Sequence, residues 1–259
     1  MLLKLLKYDL RAMWKQFSLV WGAALALALV NRFAMFQAPD GKIVTRSGMM
    51  DLFLFALMIF LVAMFVLAVV FAVNRFSQGL LGNEGYLMHT LPVRSWELVL
   101  SKLICAIVTG VGCFAVSFLV AFIMLPTEYR NFFQPLFWWD IFRGIMKHPD
   151  VLALMVEFCL VVLSFLVLFI ASMYLAMAVG HLFSRHRRLI SVSVFIGLYI
   201  LITNVYGRIF SVRVVQSLMN MATVNVYGSM LAASAIMLIP AAVFLAVVCW
   251  ILENKLNLE

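Results

Sequence analysis

Residues 52–73 read LFLFALMIFLVAMFVLAVVFAV, a run with no charged and no hydrogen-bonding side chain. Wound as an α-helix it reaches about 33 Å, enough to cross a hydrocarbon core of about 30 Å. Within lipid a lone segment satisfies its peptide groups only as a helix. Composition carries that reading to the whole chain. Of 259 residues, 66% are hydrophobic and 12% charged, whereas soluble domains hold about half apolar and a quarter charged residues. The sequence therefore predicts an all-α integral membrane protein.

Outward from 52–73, further apolar runs cover 17–36, 104–125, 151–180, 189–206 and 230–252. Six spans leave no stretch long enough for a separate globular domain, so 1–259 is expected to be a single transmembrane domain. The 17–36 run contains ALALA at 24–28, which also fits a cleaved export signal; it is read here as a retained span. Pro240 removes a backbone hydrogen bond near the middle of the last span and is expected to kink it. Residues 207–229 are amphiphilic without being apolar enough to cross, and suit short helices dipping into the outer leaflet.

An even number of spans puts both termini on one side. The basic clusters at the N-terminus and in HLFSRHRR (181–188) assign that side to the cytoplasm, with a small majority of the 19 lysines and arginines facing it. A net charge of +8 is thus a topology signal, and no nucleic-acid partner is expected. In 1–16, Lys4, Lys7, Arg11 and Lys15 recur every three or four residues, which gathers them on one helix face. Leucines, Met13 and Trp14 cover the rest. That pattern predicts an N-terminal amphipathic interfacial helix in the head-group layer. Asp9 projects almost opposite the basic stripe, either as an interfacial carboxylate exposed where the helix tilts or as a contact to a partner subunit.

Candidate path residues are few. The loop 126–150 carries three prolines and a dense aromatic set including Trp138 and Trp139; it reads as an outer interfacial helix near 136–147 or as an aromatic gate. Glu157 lies in the first two turns of a 30-residue apolar run. It belongs either at the outer interface or, facing inward, to a path, because an acid inside a span is a functional candidate by default. Asn204 falls near the outer end of the fifth span.

Other chemistries lack their residues. The chain has no GxxxxGK[ST], HExxH or CxxC, the signatures of phosphate cradles, zinc proteases and paired thiols. The four histidines are expected in loops, away from any haem or metal site at membrane depth. Cys105, Cys113, Cys159 and Cys249 sit in apolar runs as small hydrophobes. Without paired carboxylates or charge ladders, coupling to protons or sodium has no relay. The sequence offers no catalytic residue and no metal site.

One polar stretch stands out, 74–102, NRFSQGLLGNEGYLMHTLPVRSWELVLSK. Glycines 79, 82 and 85 permit sharp turns. Residues 86–91 can form one or two helical turns before Pro92 stops them, presenting Leu87, Met88 and Leu91. Glu84, His89 and Arg94 would rim this apolar knob. It suits either insertion into a partner's cleft or packing back onto the span ends.

Glu84-Gly85-Tyr86-Leu87, followed by Thr90-Leu91-Pro92-Val93 and by Lys102 at the next span, resembles the coupling-helix region of ABC transporter permeases of the type-2 exporter class. The basic N-terminal segment, the six spans and the segment before the last one extend the resemblance along the chain. It implies a short cytoplasmic coupling helix in which Glu84, Gly85, Tyr86, Leu87, Met88, His89, Leu91, Pro92 and Arg94 meet a separate ABC ATPase. It also implies a second permease chain, alike or paralogous, in the bacterial plasma (inner) membrane. ATP and Mg would reside in the ATPase, with no cofactor in this chain. The cargo expected is an amphipathic or hydrophobic molecule, a peptide toxin or antibiotic. A non-transporting membrane sensor or assembly factor using the same stretch is the alternative; an intramembrane enzyme would need catalytic groups at depth that the spans do not supply.

Overall fold

The computed structural model describes residues 2–35, 49–81, 95–124, 143–144, 149–183, 186–209 and 226–254. Six long helices carry the described chain: α1 (Leu2–Met35), α2 (Met49–Phe76), α3 (Ser95–Met124), α4 (Pro149–His181), α5 (Arg187–Ile209) and α6 (Val226–Asn254). A five-residue π-helical turn, Ser77–Leu81, extends α2. All six helices are long and apolar enough to cross a membrane. Apart from the short α4–α5 connection the described residues are helical, and the chain is a multi-pass membrane protein.

Helix ends depart from the expected spans at particular places. The separate interfacial helix expected over 1–16 is corrected: α1 runs unbroken for 34 residues, about 51 Å. Ala12, Met13, Lys15 and Gln16 are good helix formers, and no proline or glycine stands before Gly22 to break the turn. The third helix begins at Ser95, well before 104, with acidic Glu97 in its first turn, where the helix dipole favours a carboxylate. His181 closes α4 and so belongs to a helix end, a correction to the loop position expected for it.

By contacts the chain gathers into two compact units. One holds Leu3–Ala72 and Ile104–Phe142, that is α1 with the bodies of α2 and α3. Its core follows one stripe of α1, on which Asp9, Met13, Phe17, Ala24, Ala28 and Asn31 are buried. Steps of three, four and seven keep these residues on one face. The Met13 thioether accepts the Thr109 hydroxyl at 2.6 Å and lies 3.6 Å from the Cys105 thiol. Phe17 meets Phe71 edge-on at 5.2 Å, and the Asn31 amide donates to the Phe53 carbonyl at 3.4 Å. Small residues bring the helices close, as lipid-embedded packing requires. The Trp21 indole lies over Gly112, where any Cβ would collide with its ring.

The other unit holds Val73–Leu103 and Arg143–Glu259 together with Met1–Leu2. Here α4 packs against α5, α6 and the π-helical turn. Leu168 and Ala171 of α4 meet Ala241 of α6, flanked by Ile202, Tyr206, Met237 and Phe244. The carbonyl that Pro240 leaves without a helical donor has a partner in this core. Pro240 offers no N–H to the Ile236 carbonyl, and the Tyr206 hydroxyl donates to that oxygen at 3.1 Å.

The α4–α5 connection is tight. Gly180 faces Ser191 so closely that a Cβ would overlap its hydroxyl and stand 3.0 Å from the Arg187 carbonyl. His186, whose carbonyl accepts the Ile190 N–H at 3.2 Å, adopts a left-handed φ of 65°, a region that costs L side chains about 1–2 kcal/mol.

Candidate functional site

The π-helical turn departs from the α-helical backbone that the described residues otherwise mostly adopt. Such turns are rare and concentrate at functional sites. This one opens the polar 74–102 stretch and is anchored within the second of the units above. Phe76, at the end of α2, stacks on Tyr174 of α4 with ring centroids 4.1 Å apart and planes 14° from parallel. Both rings are buried, as is Leu80 in the turn. A buried aromatic pair is worth about 0.5–1.5 kcal/mol beyond its area.

Across the turn, Lys102 on α3 is 4% exposed. A Cβ at Gly79 would lie 3.4 Å from the Lys102 Cε and 3.7 Å from its Nζ. The bare glycine thus leaves room for the lysine stem beside the turn. Leu98, Val99 and Leu103 of α3 are buried as well, and the Ser101 hydroxyl donates to the Leu98 carbonyl at 2.9 Å. Both ends of the 82–94 segment are therefore rooted in buried side chains. Its own residues, from Glu84 through Gly85, Tyr86, Leu87, Met88, His89, Leu91 and Pro92 to Arg94, lie outside the described residues.

The N-terminal set divides. Lys7, Arg11 and Lys15 are exposed, while Lys4 lies on α1 with its side chain outside the description. Asp9 is only 4% exposed, which corrects the first of its two expected readings, a carboxylate exposed where the helix tilts. Its face is continuous with Met13 and Phe17, which the spacing of four from each to the next could have signalled.

Glu157 is 6% exposed, while Leu154, Met155, Val156 and Phe158 around it in sequence are exposed. Its Oε2 is buried without a hydrogen-bond partner. Asn204 is exposed on α5, its amide donating to the Ile200 carbonyl of its own helix at 2.8 Å. Trp138 and Trp139 lie outside the described residues; of the candidate path residues that are described, Glu157 is buried and Asn204 exposed. Among the described residues no cluster of His, Cys, Asp and Glu has the makings of a metal site, and the four cysteines are free thiols.

Reading the sequence missed Phe76, Tyr174 and the Gly79–Lys102 approach. Only Gly79 carried a signal, as a turn residue.

Comparison with known proteins adds no relative: no family model, no curated protein and no solved structure matches the chain.

Proposed function

We propose that this chain is the membrane-spanning permease subunit of an ATP-driven exporter. The observation that carries the reading is the buried anchor of the 74–102 stretch, where Phe76 stacks on Tyr174 and Lys102 lies beside Gly79. A segment that transmits force from a partner needs a stiff base with two arrangements available to it. A π-helical turn beside a buried aromatic pair supplies both stiffness and a second register. The resemblance of Glu84–Val93 to a type-2 exporter coupling helix supplies the partner, an ABC ATPase on the cytoplasmic face.

In this mechanism ATP and Mg bind the ATPase, and closure of the ATPase presses on Leu87, Met88 and Leu91. Displacement of the segment passes to α2 and α3 through its two roots and to α4 through Tyr174. Repacking of α4 against α5 and α6 then changes access to a path completed by a second permease chain. Lys7, Arg11 and Lys15 on the exposed face of α1 suit the anionic head-group layer. The cargo is an amphipathic or hydrophobic molecule, because the helices present Phe, Met and Leu with few charges.

Purification of the tagged chain from its native membrane tests the partner. The expected result is co-elution of a protein bearing GxxxxGK[ST], lost on Leu87→Asp while the chain still inserts. An ATPase absent from the wild-type preparation contradicts the reading.

A further inference from the structure

Glu157 is buried on the stripe of α4 that continues through Ser164, Leu168 and Ala171, all themselves buried. Steps of seven, four and three hold the four on one face. Its Oε2 has no hydrogen-bond donor. A buried acceptor left unmet costs about 1–3 kcal/mol, more when charged.

Three hydroxyls of the same unit donate elsewhere. Ser164 donates to the Leu160 carbonyl at 2.7 Å, Ser234 to Leu231 at 2.8 Å and Tyr206 to Ile236 at 3.1 Å. Among the described residues of α4 and the elements packed against it, no counter-charge faces Glu157 from mid-helix. Residues 151–180 of α4 and 226–254 of α6 contain no lysine or arginine, and the π-helical turn SQGLL has none. On α5 the basic residues Arg187, Arg188 and Arg208 stand at the helix ends and are exposed. The other titratable groups on these elements are Asp150, Cys159, Tyr174, His181, Tyr199, Tyr206, Tyr227, Cys249 and Glu253; of these only His181 can carry a positive charge, and it closes α4 24 residues, about 36 Å along the helix, from Glu157.

We propose that Glu157 is the anchor of a binding site for a cationic amphiphile, an ammonium or guanidinium group on an apolar chain. Such a group supplies both things the carboxylate lacks, an N–H donor and a positive charge, and a charge-assisted hydrogen bond is about twice as strong as a neutral one. A hydroxyl would meet the lone pair but not the charge. A metal ion would need several ligands, and among the described residues no cluster accompanies Glu157. The apolar chain suits Leu154 and Leu160, one turn away from Glu157 in either direction along α4. As a statement about cargo this rests on the exporter reading and narrows it to cationic amphiphiles; as a binding site it stands without any ATPase.

The test therefore uses the chain alone, in nanodiscs of zwitterionic lipid, titrated calorimetrically with dodecylammonium, dodecanol and dodecyl sulfate against empty nanodiscs. The expected result is saturable binding of dodecylammonium, about tenfold or more tighter than dodecanol, with dodecyl sulfate weakest. Glu157→Gln brings dodecylammonium to the level of dodecanol, and Glu253→Gln, at the exposed end of α6, leaves the preference intact. Should Glu157→Gln fail to insert, Glu157→Met, which removes the buried acceptor altogether, takes its place. Equal binding of the ammonium and the alcohol by the wild type overturns the proposal, as does a preference that survives loss of the Glu157 carboxylate. Either failure leaves co-purification with an ATPase unaffected.

Discussion

The Tyr206 hydroxyl donates to the Ile236 carbonyl at 3.1 Å, the one oxygen of α6 that Pro240, four residues on, leaves without a helical donor. The missing helical hydrogen bond and its replacement thus come from different helices, and α5 is tied to α6 where the ladder of α6 is interrupted. Hydrogen bonds between membrane helices contribute about 0.6–1.7 kcal/mol. Tyr206→Phe is expected to destabilise the protein by that amount in detergent unfolding. Pro240→Ala restores an N–H for Ile236, so the Tyr206→Phe penalty should shrink in that background. A double-mutant cycle with no coupling would show that the two residues act independently.

Trp21 and Gly112 pack ring against backbone. Gly112→Ala introduces a methyl group where the indole lies, an overpacking expected to cost about 1–3 kcal/mol. Trp21→Leu in the same chain should recover part of that loss. Thermal unfolding of the single and double variants decides it; a Gly112→Ala protein as stable as the wild type contradicts the close approach.

At His186 the backbone holds φ at 65°. Glycine adopts that conformation without a Cβ clash, so His186→Gly should stabilise the α4–α5 connection by up to about 1 kcal/mol, read as a raised Tm. A lowered Tm would mean that the imidazole contributes more than the backbone costs.

Legibility in the sequence was uneven, for physical reasons. Spans were readable because each apolar run approaches or exceeds the thickness of a bilayer, a length no soluble helix needs. Register placed Asp9 opposite the basic stripe but did not say whether that face is exposed or packed, since this depends on the neighbouring helices; its spacing to the buried Met13 and Phe17 marks the packed face. The continuity of α1 was hidden by a change of composition near residue 16 that is not a change of conformation. Contacts such as Phe76–Tyr174 and Tyr206–Ile236 join distant parts of the chain and depend on how helices pair. Glu157 was visible as an acid in an apolar run, but its burial depends on which side of α4 meets its neighbours.

Phe76 and Tyr174 offer a test of transmission. Tyr174→Leu keeps an apolar side chain but removes the stacked ring. In proteoliposomes with the partner ATPase, it should lower transport per ATP hydrolysed by about fivefold or more while the ATPase stays bound. Unchanged coupling would take the aromatic pair out of the mechanism.

Reconstituted transport tests the central claim most directly. The chain and the ATPase proposed as its partner, placed together in liposomes, are predicted to move a cationic amphipathic peptide on addition of ATP, and Glu84→Lys or Leu87→Asp should abolish that movement while leaving insertion intact. Transport at full rate in both variants, or none in the wild-type pair across a panel of amphipathic peptides and lipids, contradicts it.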